Sequence, residues 1–308
     1  NSIGTNSRIG ILADNSPFFI QAYAGIIHSG NTAVVIDTKS SPKDIEQIIT
    51  RCSIQIVFAD QKYESLLAGV KVLSSQPVDI THSDMSFHSH IPKDECAVII
   101  FTSGSTGVKK GVMLTHKNLI ANTNSILQYL NLSSDDRMMV VLPFFYCYGA
   151  SLLHTHIRVG GSLVLNQSPF LGGALKGIHE FQCTGFAGVP STFLILVQKT
   201  PFLTMRFPSL RYLTQAGGHL ACSVIHEIAR TFADKKFFVM YGATEATARL
   251  SYLPPEFLFK KPDSIGKGIP GVTLEVRGED GKKVKPGEVG EIVAAGDNIM
   301  AGYLEDPD

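Results

Sequence analysis

"FTSGSTGVKKG", Phe101 to Gly111, follows directly on the apolar run "CAVII" (Cys96–Ile100). It gathers four small hydroxyl residues, Thr102, Ser103, Ser105 and Thr106, and sets glycines at 104, 107 and 111 around Lys109 and Lys110. Glycine lets a backbone approach a ligand closely and turn its N–H groups inward. Small hydroxyls add donors without bulk, and a lysine supplies countercharge. The combination suits a polyphosphate. Charge-assisted hydrogen bonds of this kind contribute about 1.5–3 kcal/mol each, so a few of them hold a nucleotide. The spacing disfavours a Walker-type phosphate loop, which needs Gly-Lys followed by Ser or Thr at a helix start. Here Lys110 is followed by Gly111 and "VMLT", a further short strand, so the loop joins two extended segments.

Upstream, strands and helices alternate. "RIGILA" (Arg8–Ala13), "TAVVI" (Thr32–Ile36) and "IQIVFA" (from Ile54, over Gln55–Ala59) are short apolar strands. Between them, Ser16-Pro17 and Ser41-Pro42 open helices, the serine as cap and the proline in the first turn. This order predicts an α/β fold with a parallel sheet and right-handed crossovers. A polar stretch, Ser74 to Asp94, interrupts the rhythm as a subdomain linker. Downstream, a helix from about Thr115 precedes a second α/β run: "MMVVLP", a helix at Ser151–Arg158, "SLVLN", a helix before Cys183, "TGFAGV", "LRYLTQ", "LACSVIHEIARTF" and "FFVMYG". The tail "VTLEVRGEDGKKVKPGEVGEIVAAG" carries two period-two strands around an Asp280-Gly281 turn. Thr102, Ala216 and Tyr241 each fall at the end of a strand, where open parallel sheets hold ligands.

Composition narrows the function. The 27 Lys and Arg balance the 27 Asp and Glu, so no global basic field exists for nucleic acid or a membrane surface. Five scattered cysteines without a C-x-x-C point to a reducing compartment, with neither a disulfide framework nor a zinc site. No apolar run reaches the roughly 18–20 residues of a membrane span, and the start lacks a signal peptide. A cytoplasmic protein of unknown oligomeric state is the expectation.

"TSGSTGVKKG" resembles the signature loop of the adenylate-forming enzymes, the acyl-CoA synthetases and their relatives, with Lys109 where that signature has Pro. Further blocks follow in the family's order. "LPFFYCYGA" (Leu142–Ala150) is similar to the segment lining the acyl pocket and coenzyme A tunnel, with Tyr146 where many members carry His. "QAGGHL" (Gln215–Leu220) resembles the turn beside the adenine and acyl chain. "YGATEA" (Tyr241–Ala246) matches the nucleotide motif, and Lys285–Tyr303 the segment leading to the ribose site. The resemblance implies two Rossmann-like, mostly parallel sheets with flanking helices and a small antiparallel β region near the C-terminus. Its approximate subdomains are 1–95, 96–260 and 261–308 of an incomplete large N-terminal domain, with the small C-terminal domain absent. A fragment of that kind is expected to bind ATP weakly and turn over poorly.

By the same resemblance, Thr102, Ser103, Gly104, Ser105, Thr106, Gly107 and Lys110 bind the nucleotide's phosphates. Gly217, Gly218, Tyr241, Gly242, Ala243 and Thr244 complete its site, with Tyr241 on adenine and Thr244 at the α-phosphate. Glu245 holds Mg²⁺, and Phe145, Tyr146, Gly149, Ala216, Gly217 and Gly218 line the substrate pocket. Thr244, Glu245 and Lys110 are the catalytic set. The implied reaction activates a small-molecule carboxylic acid with ATP through an acyl-AMP and passes it to coenzyme A. The absence of an acidic residue from "FFYCYG" favours a fatty or aryl acid over an amino acid. A ligase serving an acyl carrier protein, a nucleotide-binding module without chemistry and a phosphate-loop hydrolase stand as alternatives.

Other signals are discounted. "GKGIPG" (Gly266–Gly271) matches a dinucleotide fingerprint but precedes an extended segment, and Pro270 disfavours helix entry, so it reads as a turn. His88 with His90, and His154 with His156, are read as solvated or satisfied rather than as metal ligands. Cys147, Tyr129, Phe144 and Phe145 are core candidates first.

Overall fold

The computed structural model describes residues 6–74, 91–103 and 109–305. The chain divides into two compact units, one of Asn1–Lys117, Pro143–Tyr146 and Met300–Asp308, the other of Asn118–Leu142 and Cys147–Ile299.

In the first unit, β1 (Arg8–Leu12), α1 (Pro17–His28), β2 (Thr32–Val35), α2 (Pro42–Arg51), β3 (Ile56–Ala59), β4 (Lys71–Ser74), β5 (Cys96–Ser103) and β6 (Lys109–Thr115) follow in order. The sheet runs β6-β5-β2-β1-β3-β4, and the pair Gly302–Tyr303 adds an antiparallel edge beside β6. All pairings from β5 to β4 are parallel. The helix starts form as the sequence predicts: Ser16 Oγ accepts the Phe19 N–H at 3.1 Å and Ser41 Oγ that of Asp44 at 3.2 Å. Every residue of β2 is buried, as a parallel strand covered on both faces requires. Val34, Ile45, Ile48, Val57 and Ile99 form its core.

The second unit begins within α3 (His116–Leu130) and continues through β7 (Arg137–Val140), α4 (Cys147–Val159), β8 (Ser162–Leu165), α5 (Leu171–Glu180), β9 (Gly185–Gly188), α6 (Pro190–Lys199), β10 (Tyr212–Gln215), α7 (Cys222–Thr231) and β11 (Lys236–Tyr241). Five parallel strands, β8-β7-β9-β10-β11, are extended antiparallel by β12 (Ser251–Leu253) and β13 (Lys267–Gly268). A separate antiparallel pair joins β14 (Val272–Arg277) to β15 (Glu291–Gly296). Phe186, Phe193, Leu213, Ile225 and Phe237 lie in the core.

Thus the expected α/β class, with two mostly parallel sheets and a small antiparallel region, is the fold. Several details differ from the sequence reading. The "SLLHTHIR" helix starts earlier, at Cys147, so Gly149 is buried inside α4 rather than in a loop. Helix α6 and edge strand β4 were not anticipated. Val189 precedes α6 without a side-chain cap, and β4 is short and half exposed. "GKGIPG", expected to be a turn, carries the two-residue strand β13 at Lys267–Gly268 and turns only at Pro270–Gly271, ahead of β14.

Candidate functional site

In the first unit, the opening stretch covers the end of β5 and the start of β6. β5 and β6 pair antiparallel with Thr102 opposite Lys110 and Ser103 opposite Lys109, so the loop joins two extended segments as its spacing predicts. Gly104, Ser105, Thr106 and Gly107 lie outside the described residues, as do His88 and His90. The Lys110 ammonium sits 4.6 Å from the centre of the Tyr303 ring, a cation–π contact that restrains it. Lys109 takes a structural part: its ammonium reaches Ser40 Oγ at 2.8 Å and the Asp44 carboxylate at 3.4 Å. Arg51, over the Phe101 ring, donates to the Lys109 carbonyl at 2.7 Å. Ser41 and Lys109 hold the Asp44 carboxyl below its usual range. The second stem of the loop is thereby tied to α2. Phe145 and Tyr146, both half-buried, belong to this unit as well. Asn15 Oδ1 accepts the Phe144 N–H at 2.8 Å, which fixes that turn at the start of α1.

In the second unit, β10 and β11 are neighbours with Gln215 opposite Val239. The turns that follow them therefore emerge side by side at the carboxyl edge of the sheet, where α/β folds bind ligands. After β10 come buried Ala216 and exposed Gly217 and Gly218. Gly217 has φ 88°, a left-handed conformation suited to glycine, and Gln215 Nε2 pins the turn through the Gly218 carbonyl at 2.8 Å. After β11, Tyr241 is 36 % exposed and Thr244–Ala246 form a single tight turn with Thr244 buried and Glu245 half-buried.

That turn is strained and clamped. Thr247 has φ 68°, an outlying conformation for a β-branched residue that costs about 1–3 kcal/mol and persists only when neighbours enforce it. The enforcers are buried asparagines. Thr247 Oγ1 donates to the Asn298 carbonyl at 2.7 Å, while Asn298 Nδ2 donates to the carbonyls of Ala246 and Arg249 at 3.2 and 3.1 Å. Asn122 Nδ2 adds a fourth bond, to the Arg249 carbonyl at 3.0 Å. Asn298, Asn122 and Arg249 were not candidates from the sequence. Asn298 lies inside the matched segment Lys285–Tyr303, which was the one available signal.

Cys147 accepts a hydrogen bond from Thr244 Oγ1 at 3.4 Å, and burial raises its thiol pKa. It orients the threonine and is unsuited to nucleophilic work. His156 is buried, with Nδ1 2.9 Å from the Leu152 carbonyl. Among the described residues no group of three or more His, Cys, Asp or Glu could hold a metal ion, and no helix is long and apolar enough to cross a membrane. A magnesium ion needs less from the protein, since one or two carboxylates and the substrate's phosphates commonly hold it. Glu245, on the clamped turn, fits that donor set.

The neighbouring His154 gives a measurable consequence. Burial pushes its imidazole down to about 4. An unfolded histidine titrates near about 6.5, so between these values the unfolded chain binds a proton that the folded chain refuses. Stability is complete above the unfolded value and is lost as pH falls toward the folded one. Urea unfolding at pH 7 and 4.5 should show the chain losing roughly 2–3 kcal/mol more than His154→Gln. Equal losses would remove His154 as the cause.

Comparison with known proteins follows the same lines. The family model described as AMP-binding enzyme matches residues 1–304. A 2-succinylbenzoate–CoA ligase of Bacillus velezensis is 30 % identical over 315 aligned residues, covering 100 % of this chain and 62 % of that enzyme. A feruloyl-CoA synthase of Amycolatopsis sp is 26 % identical, covering 98 % and 62 %. The structure of the o-succinylbenzoate CoA synthetase of Bacillus subtilis, in complex with its acyl-adenylate intermediate, superposes with a TM-score of 0.88 at 24 % identity, covering 99 % and 62 %. A long-chain-fatty-acid-CoA ligase from Archaeoglobus fulgidus gives 0.89 at 22 %, covering 99 % and 66 %. The chain spans under two thirds of the length of the curated relatives it matches.

Proposed function

Because the chain belongs to the AMP-binding enzyme family, we propose that the whole enzyme activates a carboxylic acid with ATP and transfers the acyl group to coenzyme A. In the first half-reaction a carboxylate oxygen attacks the α-phosphorus, the bond to the β-phosphate oxygen breaks, and pyrophosphate leaves with the electron pair. In the second, a thiolate attacks the acyl carbonyl and AMP departs. Two anions must meet in the first step, so charge neutralisation and in-line positioning dominate.

The residues divide these tasks. Tyr241 offers an exposed aromatic face to the base. The Thr244 hydroxyl, parked on Cys147 Sγ, turns its single O–H to the α-phosphate when the nucleotide binds, and Glu245 would hold a magnesium ion whose charge would offset that of the phosphates. Lys110 and the hydroxyls of Thr102, Ser103, Ser105 and Thr106 hold the departing pyrophosphate. The observation that carries this reading is the strained, asparagine-clamped turn Thr244–Thr247 at the carboxyl end of β11, beside the glycine turn after β10. Backbone strain held at one polar turn is a mark of a working site. The names of the relatives favour an aryl or fatty acid, with a carrier-protein thiol as the alternative acceptor.

The test is pyrophosphate exchange into ATP by the full-length enzyme across a panel of fatty and aryl acids, followed by addition of coenzyme A. Acid-dependent exchange and a thioester product are expected. Nucleotide binding with no acid-dependent exchange would leave a binding module instead, and acyl-AMP accumulating despite coenzyme A would point to a carrier protein.

A further inference from the structure

The bulkiest side chain fully buried among the described residues is a charged one. Arg249 is 1 % exposed and lies just after the clamped turn. Its guanidinium carbon is 3.9 Å from the centre of the Tyr148 ring. Nε and Nη1 are buried and meet no acceptor among the described residues. No ion pair with a carboxylate is present there either. The Tyr148 hydroxyl in turn shares a 2.8 Å hydrogen bond with Thr214 on β10.

An arginine cannot shed its proton, so its desolvation is not relieved by titration. Stacking on one tyrosine offsets part of that cost, but a buried cation without an anion remains destabilising next to an apolar side chain of the same volume. Retaining it is explicable when the working complex delivers the missing acceptor. Tyr148, against which it lies, belongs to the segment Leu142–Ala150 expected to line the acyl pocket.

We infer that Arg249 is a specificity-determining residue: its unsatisfied N–H groups take a second carboxylate carried on the acyl part of the substrate. The favoured substrates are therefore dicarboxylic acids, alkyl or aryl, of which one carboxylate is activated and the other is held. This rests on the carboxylate-activating reading above.

The test uses the full-length enzyme, Arg249→Met and Arg249→Lys, with matched acids: hexanoate against adipate, and benzoate against a benzene dicarboxylate. Pyrophosphate exchange gives kcat/KM for each. The unaltered enzyme should prefer the diacid of each pair by at least about tenfold, and Arg249→Met should lose about 100-fold on diacids through KM while monoacids are unchanged or improved. Arg249→Lys should keep part of the preference. A preference of the unaltered enzyme for monoacids overturns the inference without any variant, as does an equal loss on both members of a pair. Thermal melts guard against a purely structural role. Removing an unpaired buried charge should leave Tm unchanged or raised, whereas a marked fall in Tm in both variants overturns the assignment. Should no acid support exchange, the catalytic reading fails separately, and binding decides this one: adipate should still raise the Tm of the unaltered chain and not that of Arg249→Met, and no shift in either overturns it.

Discussion

Lys110→Ala and Glu245→Gln are each expected to slow acid-dependent pyrophosphate exchange by about 100- to 1,000-fold, the range seen when one preorganised charge partner of a transition state is removed. The two losses should differ in kind. Lys110 stands on β6 opposite Thr102, held against Tyr303, so it is a prepared countercharge that needs no metal. Its loss should lower kcat with only a modest rise in KM for ATP, because the charge it meets grows as pyrophosphate departs. Glu245→Gln keeps the size of the side chain on the clamped turn but removes the anion that would hold magnesium. Its signature should be a rightward shift of the magnesium dependence, with partial recovery at high metal concentration. Measurement of exchange against ATP and against free magnesium in both variants separates the two. Full exchange activity in either variant would remove that residue from the catalytic set, whatever the fate of the other.

The parts of this protein that were legible in its sequence are those that rest on local chemistry. Ser16-Pro17 and Ser41-Pro42 announce α1 and α2 because a capping hydroxyl and a fixed φ act within one helical turn. The Gly- and hydroxyl-rich stretch between two apolar runs announces the β5–β6 hairpin, because glycine and a following "VMLT" leave no helix to open. Where local chemistry is silent, the reading failed. Helix α6 has no capping side chain, and its "TFLILV" run is apolar enough to pass for a strand. Gly149 hid the first turn of α4, since glycine inside a helix is unfavourable until tertiary packing overrides it. The clamp around Thr244–Thr247 was out of reach for another reason. Asn122 and Asn298 act on backbone carbonyls 127 and 49 residues away, and no periodicity or motif connects an asparagine with a distant carbonyl. The same holds for Arg249, whose burial against Tyr148 joins α4 to the end of the turn. Asn122 and Asn298 thus hold in place a turn whose residues the sequence could name, without being legible there themselves.

Gly242→Ala is expected to cost about 3 kcal/mol of stability, the upper part of the range for forcing atoms into a filled space, and to abolish nucleotide binding with it. The cause is backbone geometry. The Tyr241 carbonyl accepts the Leu250 N–H at 2.9 Å, and Tyr241 pairs with Ser251, so the chain leaves β11 and returns beside its own starting point. A Cβ on Gly242 would lie 1.9 Å from the Ala248 carbonyl oxygen and 2.8 Å from its carbon. Those are main-chain atoms and cannot rotate away. Relief would require Ala248 to move, yet Thr247 in its strained conformation and the Arg249 carbonyl, held by two asparagines, fix Ala248 on both sides. Strain and clamp would have to give way together, and with them the placement of Thr244 and Glu245. Gly25 supplies the control: it is exposed within α1, a Cβ there meets nothing within 4 Å, and Gly25→Ala should stabilise by about 0.5–1 kcal/mol through helix propensity alone. Urea unfolding of both variants, with nucleotide titration of each, reads the contrast. An alanine at 242 that leaves stability and nucleotide affinity intact would mean that the return of the chain past β11 is looser than its hydrogen bonds imply, and the clamped turn would lose its claim to be the preorganised part of the site.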